Sequence, residues 1–198
     1  MNNTLDYYHN NAQKFASGTL DVEFTETQDK FLSFLPEKSM ILDFGCGSGR
    51  DTRYFLSKGY KVDAVDGSET LCKIATDNTG IKVQQMLFSQ LDENEKYDGI
   101  WACASVLHLT KEELKTVLSK MIRAVKPNGY IYISFKYGEF EGYRSERYFT
   151  DFTENTFNSF LTAFLGIKLI EEWLSSDVRP GRGDEKWLNI ILQKSITG

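Results

Sequence analysis

The chain has 198 residues, with 23 basic and 28 acidic side chains, so its net charge is −5. This length favours a single domain that buries its own core, and an aromatic content of 14% argues against a disordered chain. The acidic balance argues against a general nucleic-acid-binding protein. The three cysteines, Cys46, Cys72 and Cys103, form no CxxC pair, which argues against a disulfide framework and a zinc site.

The predicted location of the protein is the cytoplasm, without a membrane partner. The first residues lack the basic and apolar regions of a signal peptide. The longest apolar stretch, residues 100–109, is too short to span a bilayer. Reduced cysteines suit the same compartment.

The amino-terminal residues 1–36 predict two helical segments. The first covers about residues 5–16. The second begins at the capping-box spacing Thr25–Gln28 and ends at Pro36. We expect these helices to form a lid, with Tyr7, Tyr8 and Asn11 over a ligand. Amphipathic packing against the core is the alternative.

From residue 39 onward, short apolar runs alternate with helical segments. The helical segments cover residues 50–58, a stretch after residue 68, a stretch after the capping box Thr110–Glu113, and residues 153–164. Residues 137–151 read as a polar loop. The seven predicted strands cover residues 39–44, 60–65, 81–86, 98–102, 130–136, 167–174 and 187–193. Such alternation predicts an α/β fold with a doubly wound, mostly parallel sheet, whose last strand is antiparallel because a short loop precedes it.

A glycine-rich loop, Gly45–Gly49, lies between the first predicted strand and the helix that follows. Glycines there allow a sharp turn and close approach to a ligand. Arg50 stands where a dinucleotide fingerprint needs its third small residue, which disfavours a nicotinamide site. Asp43 would repel a pyrophosphate and attract an ammonium group, while Asp66 can accept hydrogen bonds from ribose hydroxyls. The pattern favours a ligand with an amino-acid end and an adenosine end.

The chain also resembles the class I S-adenosylmethionine-dependent methyltransferases. The resemblance rests on four segments in the family's order and spacing: Ile41–Gly49, Val65–Ser68, Tyr97–Ile100 and Val125–Tyr130. It implies a seven-stranded, Rossmann-like methyltransferase fold over residues 1–198. Within it, residues 37–136 would form the cofactor-binding core, and residues 137–198 the substrate side.

The resemblance implies S-adenosylmethionine as the cofactor. The residues implied to contact it are Asp43, Gly45, Cys46, Gly47, Gly49, Asp66, Gly67, Ser68, Leu87, Phe88 and Ala102. Many relatives carry an Asp near the end of the third strand, where this chain has Leu87-Phe88. Arg50 could pair with the cofactor carboxylate, with Asp51 or with solvent. Tyr8 could close over the cofactor.

The methyl acceptor would lie at the carboxyl ends of the fourth and fifth strands. His108 is the candidate general base, since an imidazole pKa near 6.5 suits proton transfer; a backbone-bonded histidine is the alternative. The candidates for holding the acceptor are Lys136, Tyr137, Arg144, Arg147, Arg179, Arg182 and Trp187. Solvated surface is their alternative, because acidic residues interleave with them.

The leading hypothesis is in-line transfer of a methyl group to a small or medium-sized molecule. RNA or protein methylation and cofactor binding without catalysis stay open, and an NAD-dependent oxidoreductase is disfavoured. No stable nucleic-acid partner is expected, because 198 residues leave no room for an appended module. Ala102–Ser105 stands where some relatives carry an Asn/Asp-Pro-Pro-aromatic motif, which disfavours adenine-N6 and glutamine methylation.

Overall fold

The computed structural model describes residues 3–195. Its helices are α1 (Asn3–Asn10), α2 (Ala12–Ser17), α3 (Thr25–Leu32), α4 (Arg50–Ser57), α5 (Glu69–Thr79), α6 (Lys111–Ala124) and α7 (Glu154–Leu161). Its strands are β1 (Met40–Phe44), β2 (Lys61–Asp66), β3 (Gln84–Gln85), β4 (Tyr97–Ala102), β5 (Val125–Lys136), β6 (Glu141–Arg144), β7 (Arg147–Thr150), β8 (Ile167–Ser176) and β9 (Lys186–Lys194).

Seven of these strands form one sheet in the order β3-β2-β1-β4-β5-β9-β8. The strands β1 to β5 pair in parallel, and β9 runs antiparallel to both of its neighbours. The predicted doubly wound sheet with an antiparallel last strand is therefore confirmed. Strand order reverses at β1, which pairs with β2 on one side and β4 on the other. In open α/β sheets, ligands bind beyond the carboxyl ends of the strands at such a reversal.

Apolar side chains pack on both faces of the sheet and fix the positions of its strands. On one face, α6 buries Leu114, Leu118 and Met121 completely. On the other, Trp101 stacks on Tyr132 with ring centroids 4.0 Å apart. Each such side chain contributes roughly 1.5–3 kcal/mol by leaving water.

The amino-terminal region differs from its prediction in two places. The expected helix over residues 5–16 is two helices, because Asn11 leaves helical geometry and its side-chain amide donates to Tyr7 O at 2.9 Å. Helix α3 does begin at Thr25, but the expected capping box does not form. The Gln28 amide instead donates to Asp51 Oδ1 on α4 at 2.7 Å.

Two further predictions need correction. The third strand is two residues long rather than six, since Val83 N donates to Thr76 Oγ1 instead of joining the sheet. Residues 137–151 are not an irregular loop: they contain the β6–β7 hairpin, in which Tyr143 pairs with Tyr148 across the strands. The hairpin turns at Ser145, whose φ is 56°.

Within residues 3–195, every helix falls short of the length and apolar content needed to cross a membrane.

Candidate cofactor and acceptor site

A cavity of about 430 Å³ opens beyond the carboxyl ends of β1, β2, β4 and β5 and the amino end of β9, below α1 and α2. Its volume is typical of small-molecule sites. Fifteen predicted site residues line it: Tyr8, Gly45, Cys46, Gly47, Arg50, Asp66, Gly67, Leu87, Phe88, His108, Lys136, Arg147, Arg179, Arg182 and Trp187. Eight do not: Tyr7, Asn11, Asp43, Gly49, Ser68, Ala102, Tyr137 and Arg144. Sequence reasoning thus placed most of its candidates in one cavity.

The glycine loop turns immediately after β1. The amide nitrogens of Gly45 and Cys46 both donate to Val65 O at 2.9 Å, which ties the loop to the end of β2. Gly45 has φ +91°, and a Cβ there would lie 2.5 Å from Ser105 Cβ. Both the backbone conformation and the space therefore require glycine.

Asp66 lies at the end of β2 and faces the loop. Its Oδ2 accepts a hydrogen bond from Gly47 N at 3.0 Å, and its Oδ1 accepts one from Ser68 N at 2.8 Å. Burial raises the pKa of this carboxyl group above its ordinary value. Two fixed amides orient the carboxylate and leave further lone pairs that ligand hydroxyl groups can use.

Asp43 is 2% exposed and does not line the cavity. Its Oδ2 accepts a hydrogen bond from Thr52 Oγ1 at 2.5 Å, which links β1 to α4. Burial and, secondly, the neighbouring Asp51 raise the pKa of Asp43. The contact of Asp43 with a ligand ammonium group therefore stays a prediction.

Three more residues predicted to contact the cofactor do not line the cavity and have structural roles instead. Gly49 precedes α4 with φ +84°, and a Cβ there would lie 2.7 Å from Thr79 Cγ2. Ser68 caps α5 by accepting from Leu71 N at 3.4 Å. Ala102 is fully buried at the end of β4.

Asp51, which the sequence did not mark as a site residue, joins three elements next to the loop. Arg50 Nε donates to its Oδ1 at 2.7 Å, and Arg50 Nη2 to its Oδ2 at 3.0 Å. The Gln28 amide and Trp101 Nε1 also donate to this carboxylate, at 2.7 and 2.8 Å. Of the three partners considered for Arg50, the structure shows Asp51. The other two partners of Asp51, Gln28 and Trp101, are 23 and 50 residues away along the chain, so no local sequence pattern could reveal them.

The side of the cavity beyond β3 is largely apolar. Leu87 is 41% exposed, and Phe88 packs on Phe44 with ring centroids 4.8 Å apart. A Cβ at Gly67 would lie 2.7 Å from Leu5 Cδ2, so α1 packs directly against the loop between β2 and α5.

Helix α1 covers part of the cavity through Tyr8, whereas Tyr7 and Asn11 do not line it. Tyr8 Oη lies 2.8 Å from His108 Nε2. His108 Nδ1 lies 2.6 Å from Tyr148 O, and because a carbonyl only accepts, Nδ1 carries the proton. In the neutral ring, Nε2 then accepts from the Tyr8 hydroxyl group. Burial lowers the pKa of His108 to about 4.

We expect the stability of the protein to fall between about pH 7 and pH 5 because of His108. The pKa of His108 is lower in the folded state, at about 4, than in the unfolded chain, so the unfolded state binds the proton first and stability is lost as pH falls. The loss amounts to about 2 kcal/mol over this range. Urea unfolding at both pH values measures it. In His108→Gln the difference between the two pH values should shrink by about that amount, and an unchanged difference would contradict the assignment.

Most cations at the acceptor end of the cavity already have carboxylate partners. Lys136 pairs with Glu185. Arg179 pairs with Asp177. Arg182 Nη1 lies 3.7 Å from Glu185 Oε1. Outside the cavity, Arg144 pairs with Asp151, and Tyr137 is 40% exposed.

Comparison with known proteins identifies the domain. Residues 41–129 match the family model described as the methyltransferase domain. Residues 41–129 are therefore a methyltransferase domain. This family uses S-adenosylmethionine as methyl donor.

Relatives and solved structures resemble the methyltransferase domain to different extents. YqeM of Bacillus subtilis, which carries a methyltransferase name without a stated acceptor, is 31% identical over 53% of this chain and 47% of its own. A tRNA (carboxymethyluridine(34)-5-O)-methyltransferase of Arabidopsis thaliana is 30% identical over 73% of this chain and 32% of its own. The chain thus spans less than half the length of these two relatives. The 1,6-didemethyltoxoflavin-N1-methyltransferase of Burkholderia thailandensis, crystallised with 1,6-didemethyltoxoflavin and S-adenosylhomocysteine, superposes with a TM-score of 0.70 and 24% identity, covering 96% of this chain and 89% of that one.

Proposed function

We propose that the protein transfers the methyl group of S-adenosylmethionine to a small or medium-sized molecule bound in the cavity. The observation that carries this proposal is the placement of Asp66. Its carboxylate is held by the amides of Gly47 and Ser68 and lines a cavity that continues to the ends of β4, β5 and β9. A cofactor gripped at Asp66 would leave the remaining space for an acceptor.

The lining residues fit the chemistry of this cofactor. Asp66 would accept hydrogen bonds from the ribose hydroxyls, and the apolar side at Leu87 and Phe88 would cover the adenine. The glycine loop would follow the methionine chain, with Arg50 and Tyr8 nearby. The sulfonium group supplies a methyl group that is already activated for displacement. The protein mainly aligns acceptor and cofactor, a contribution of roughly 7–11 kcal/mol to lowering the barrier.

Acceptors that lose a proton need a proton acceptor, and we assign this role to the Tyr8–His108 pair. The Tyr8 hydroxyl group lines the cavity and donates to His108 Nε2. As the acceptor atom bonds to the methyl carbon, its proton passes to Tyr8 Oη while the Tyr8 proton passes to Nε2. The Nδ1 hydrogen bond to Tyr148 O fixes the tautomer that this route needs.

Replacing Tyr8 by Phe removes the hydroxyl group and keeps the ring. We expect the rate of methyl transfer to fall about 100-fold, a typical loss for a missing acid–base group. Tyr143→Phe, at a tyrosine that is 57% exposed, is the matched control. An unchanged rate and pH profile in Tyr8→Phe would remove Tyr8 from the proton route.

A small acceptor is favoured over RNA by the charges around the cavity. Lys136, Arg179 and Arg182 form ion pairs with carboxylates of the same chain. Two carboxylates, Glu185 and Asp177, thus offset most of the positive charge of these three cations, which leaves little of it for a phosphate backbone. A separate observation concerns location: the free cysteines of the protein support the cytoplasm.

The test of this proposal has two stages. Calorimetric titration with S-adenosylhomocysteine should show one site per chain. The protein is then incubated with S-adenosylmethionine and either fractionated small metabolites or total tRNA, and formation of S-adenosylhomocysteine is measured. We expect turnover with a small-molecule fraction. Turnover with tRNA alone would replace the small acceptor by RNA, and a failure to bind S-adenosylhomocysteine would end the proposal.

A further inference from the structure

One cation in the cavity differs from the others in its surroundings. Arg147, on β7 of the hairpin, lines the cavity but forms no ion pair within residues 3–195. Its only side-chain hydrogen bond in that part of the chain runs from Nη1 to Tyr8 Oη, at 3.4 Å. Its Nε is buried without an acceptor. A guanidinium group has five N–H donors, so most of the donors of Arg147 are unused.

Aromatic rings surround this guanidinium group instead of carboxylates. Its carbon Cζ lies 4.6 Å from the centroid of Tyr7 and 5.1 Å from that of Phe149. The rings hold the side chain in place and offset part of the cost of removing the charge from water. They do not satisfy its N–H groups, and an unpaired charge that is partly removed from water is costly.

The four carboxylates on the cavity wall have partners other than Arg147. Asp66 accepts hydrogen bonds from two backbone amides. Glu113 accepts hydrogen bonds from Thr110 N and Oγ1, both at 2.9 Å. Asp177 pairs with Arg179, and Asp51 with Arg50. Among the described residues, none of these carboxylates forms an ion pair with the Arg147 guanidinium group.

We propose that Arg147 binds an anionic oxygen group, a carboxylate or a phosphate, on the methyl acceptor. The planar guanidinium group matches the two oxygens of such a group with parallel hydrogen bonds. This inference rests on the proposed function, because it assigns the acceptor part of the same cavity. It places the anion beside the Tyr8–His108 pair, so that the same arginine orients the acceptor toward the proposed proton route.

The test uses protein saturated with S-adenosylhomocysteine and three fragments of similar shape: benzoate, phenyl phosphate and the neutral benzamide. Binding is followed by chemical-shift changes in proton–nitrogen NMR spectra. We expect at least one anionic fragment to bind about tenfold or more tightly than benzamide. The anion with the larger preference identifies the source of the oxygens as carboxylate or phosphate.

Variants connect this preference to the residue. Arg147→Met should abolish the preference, and Arg147→Lys should retain part of it because the charge remains. Arg123→Met, at an exposed arginine of α6 that pairs with Asp92, should leave it unchanged. Thermal unfolding of each variant checks the fold, and Arg147→Lys keeps the test valid if Arg147→Met does not fold.

Three results would overturn the inference while leaving the proposed function intact. The first is equal binding of anionic and neutral fragments by the wild type. The second is a preference that survives in Arg147→Met. The third is a tenfold or greater loss of S-adenosylhomocysteine affinity in that variant, which would assign Arg147 to the cofactor carboxylate. If wild-type protein fails to bind S-adenosylhomocysteine at all, the proposed function falls first.

Discussion

Replacing Asp66 by Ala is expected to weaken S-adenosylhomocysteine binding by roughly two orders of magnitude or more. Each hydrogen bond to an ionised carboxylate contributes about 1.5–3 kcal/mol, and a tenfold change in affinity corresponds to about 1.4 kcal/mol. Loss of two ribose contacts therefore suffices for this effect. The Gly47 and Ser68 amides also lose their acceptor, which loosens the loop further. Isothermal titration calorimetry measures the change.

The matched control is Asp63→Ala, at an aspartate earlier on the same strand. Asp63 is bonded by Tyr97 Oη at 3.0 Å and by Lys96 Nζ at 3.0 Å, and it does not line the cavity. Its replacement should leave the affinity unchanged. An Asp66→Ala protein that is folded and binds within about threefold of the wild type would show that the carboxylate has no part in the site.

The second large effect is expected on stability rather than on binding. Asp51→Ala leaves Arg50, Gln28 and Trp101 without the carboxylate that they share. Breaking a buried ion pair by removing one partner costs about 3–5 kcal/mol. For a domain of this size, that is a fall of roughly 6–20 °C in Tm. Differential scanning calorimetry and urea unfolding measure it.

Two controls separate this network from ordinary surface charge. Asp21→Ala breaks an ion pair with Arg53 whose aspartate side chain is 86% exposed, so it should cost less than about 1 kcal/mol. The double variant Arg50→Met, Asp51→Leu removes both charges and should recover part of the loss, because no unpaired charge stays behind. Equal effects of Asp51→Ala and Asp21→Ala would contradict the importance of the network.

Local sequence patterns predicted the elements that local interactions determine. Helix α6 begins at its expected capping box, with Glu113 N donating to Thr110 Oγ1 at 3.2 Å. The same spacing at Thr25–Gln28 gave the start of α3 but not the cap. There Gln28 pairs with Asp51, 23 residues away, so a tertiary contact overrides the local one.

The acceptor side was harder to predict because its contacts are distant along the chain. The sequence placed cations near the cavity without showing which of them are neutralised. Lys136 and Glu185 are 49 residues apart, and Tyr8 and His108 are 100 apart. Arg144 and Arg147 looked alike in sequence, yet the hairpin places only Arg147 at the cavity. Hairpin geometry separates them, with Arg144 paired to Asp151 outside the lining.

A crystal structure of the protein with S-adenosylhomocysteine tests the central claim most directly. The account predicts the nucleoside in the cavity below α1, with both ribose hydroxyl groups within hydrogen-bonding distance of the Asp66 carboxylate and the sulfur facing the space lined by Tyr8, His108 and Arg147. A ligand found at another place, or one in this cavity with its ribose turned away from Asp66, would contradict it.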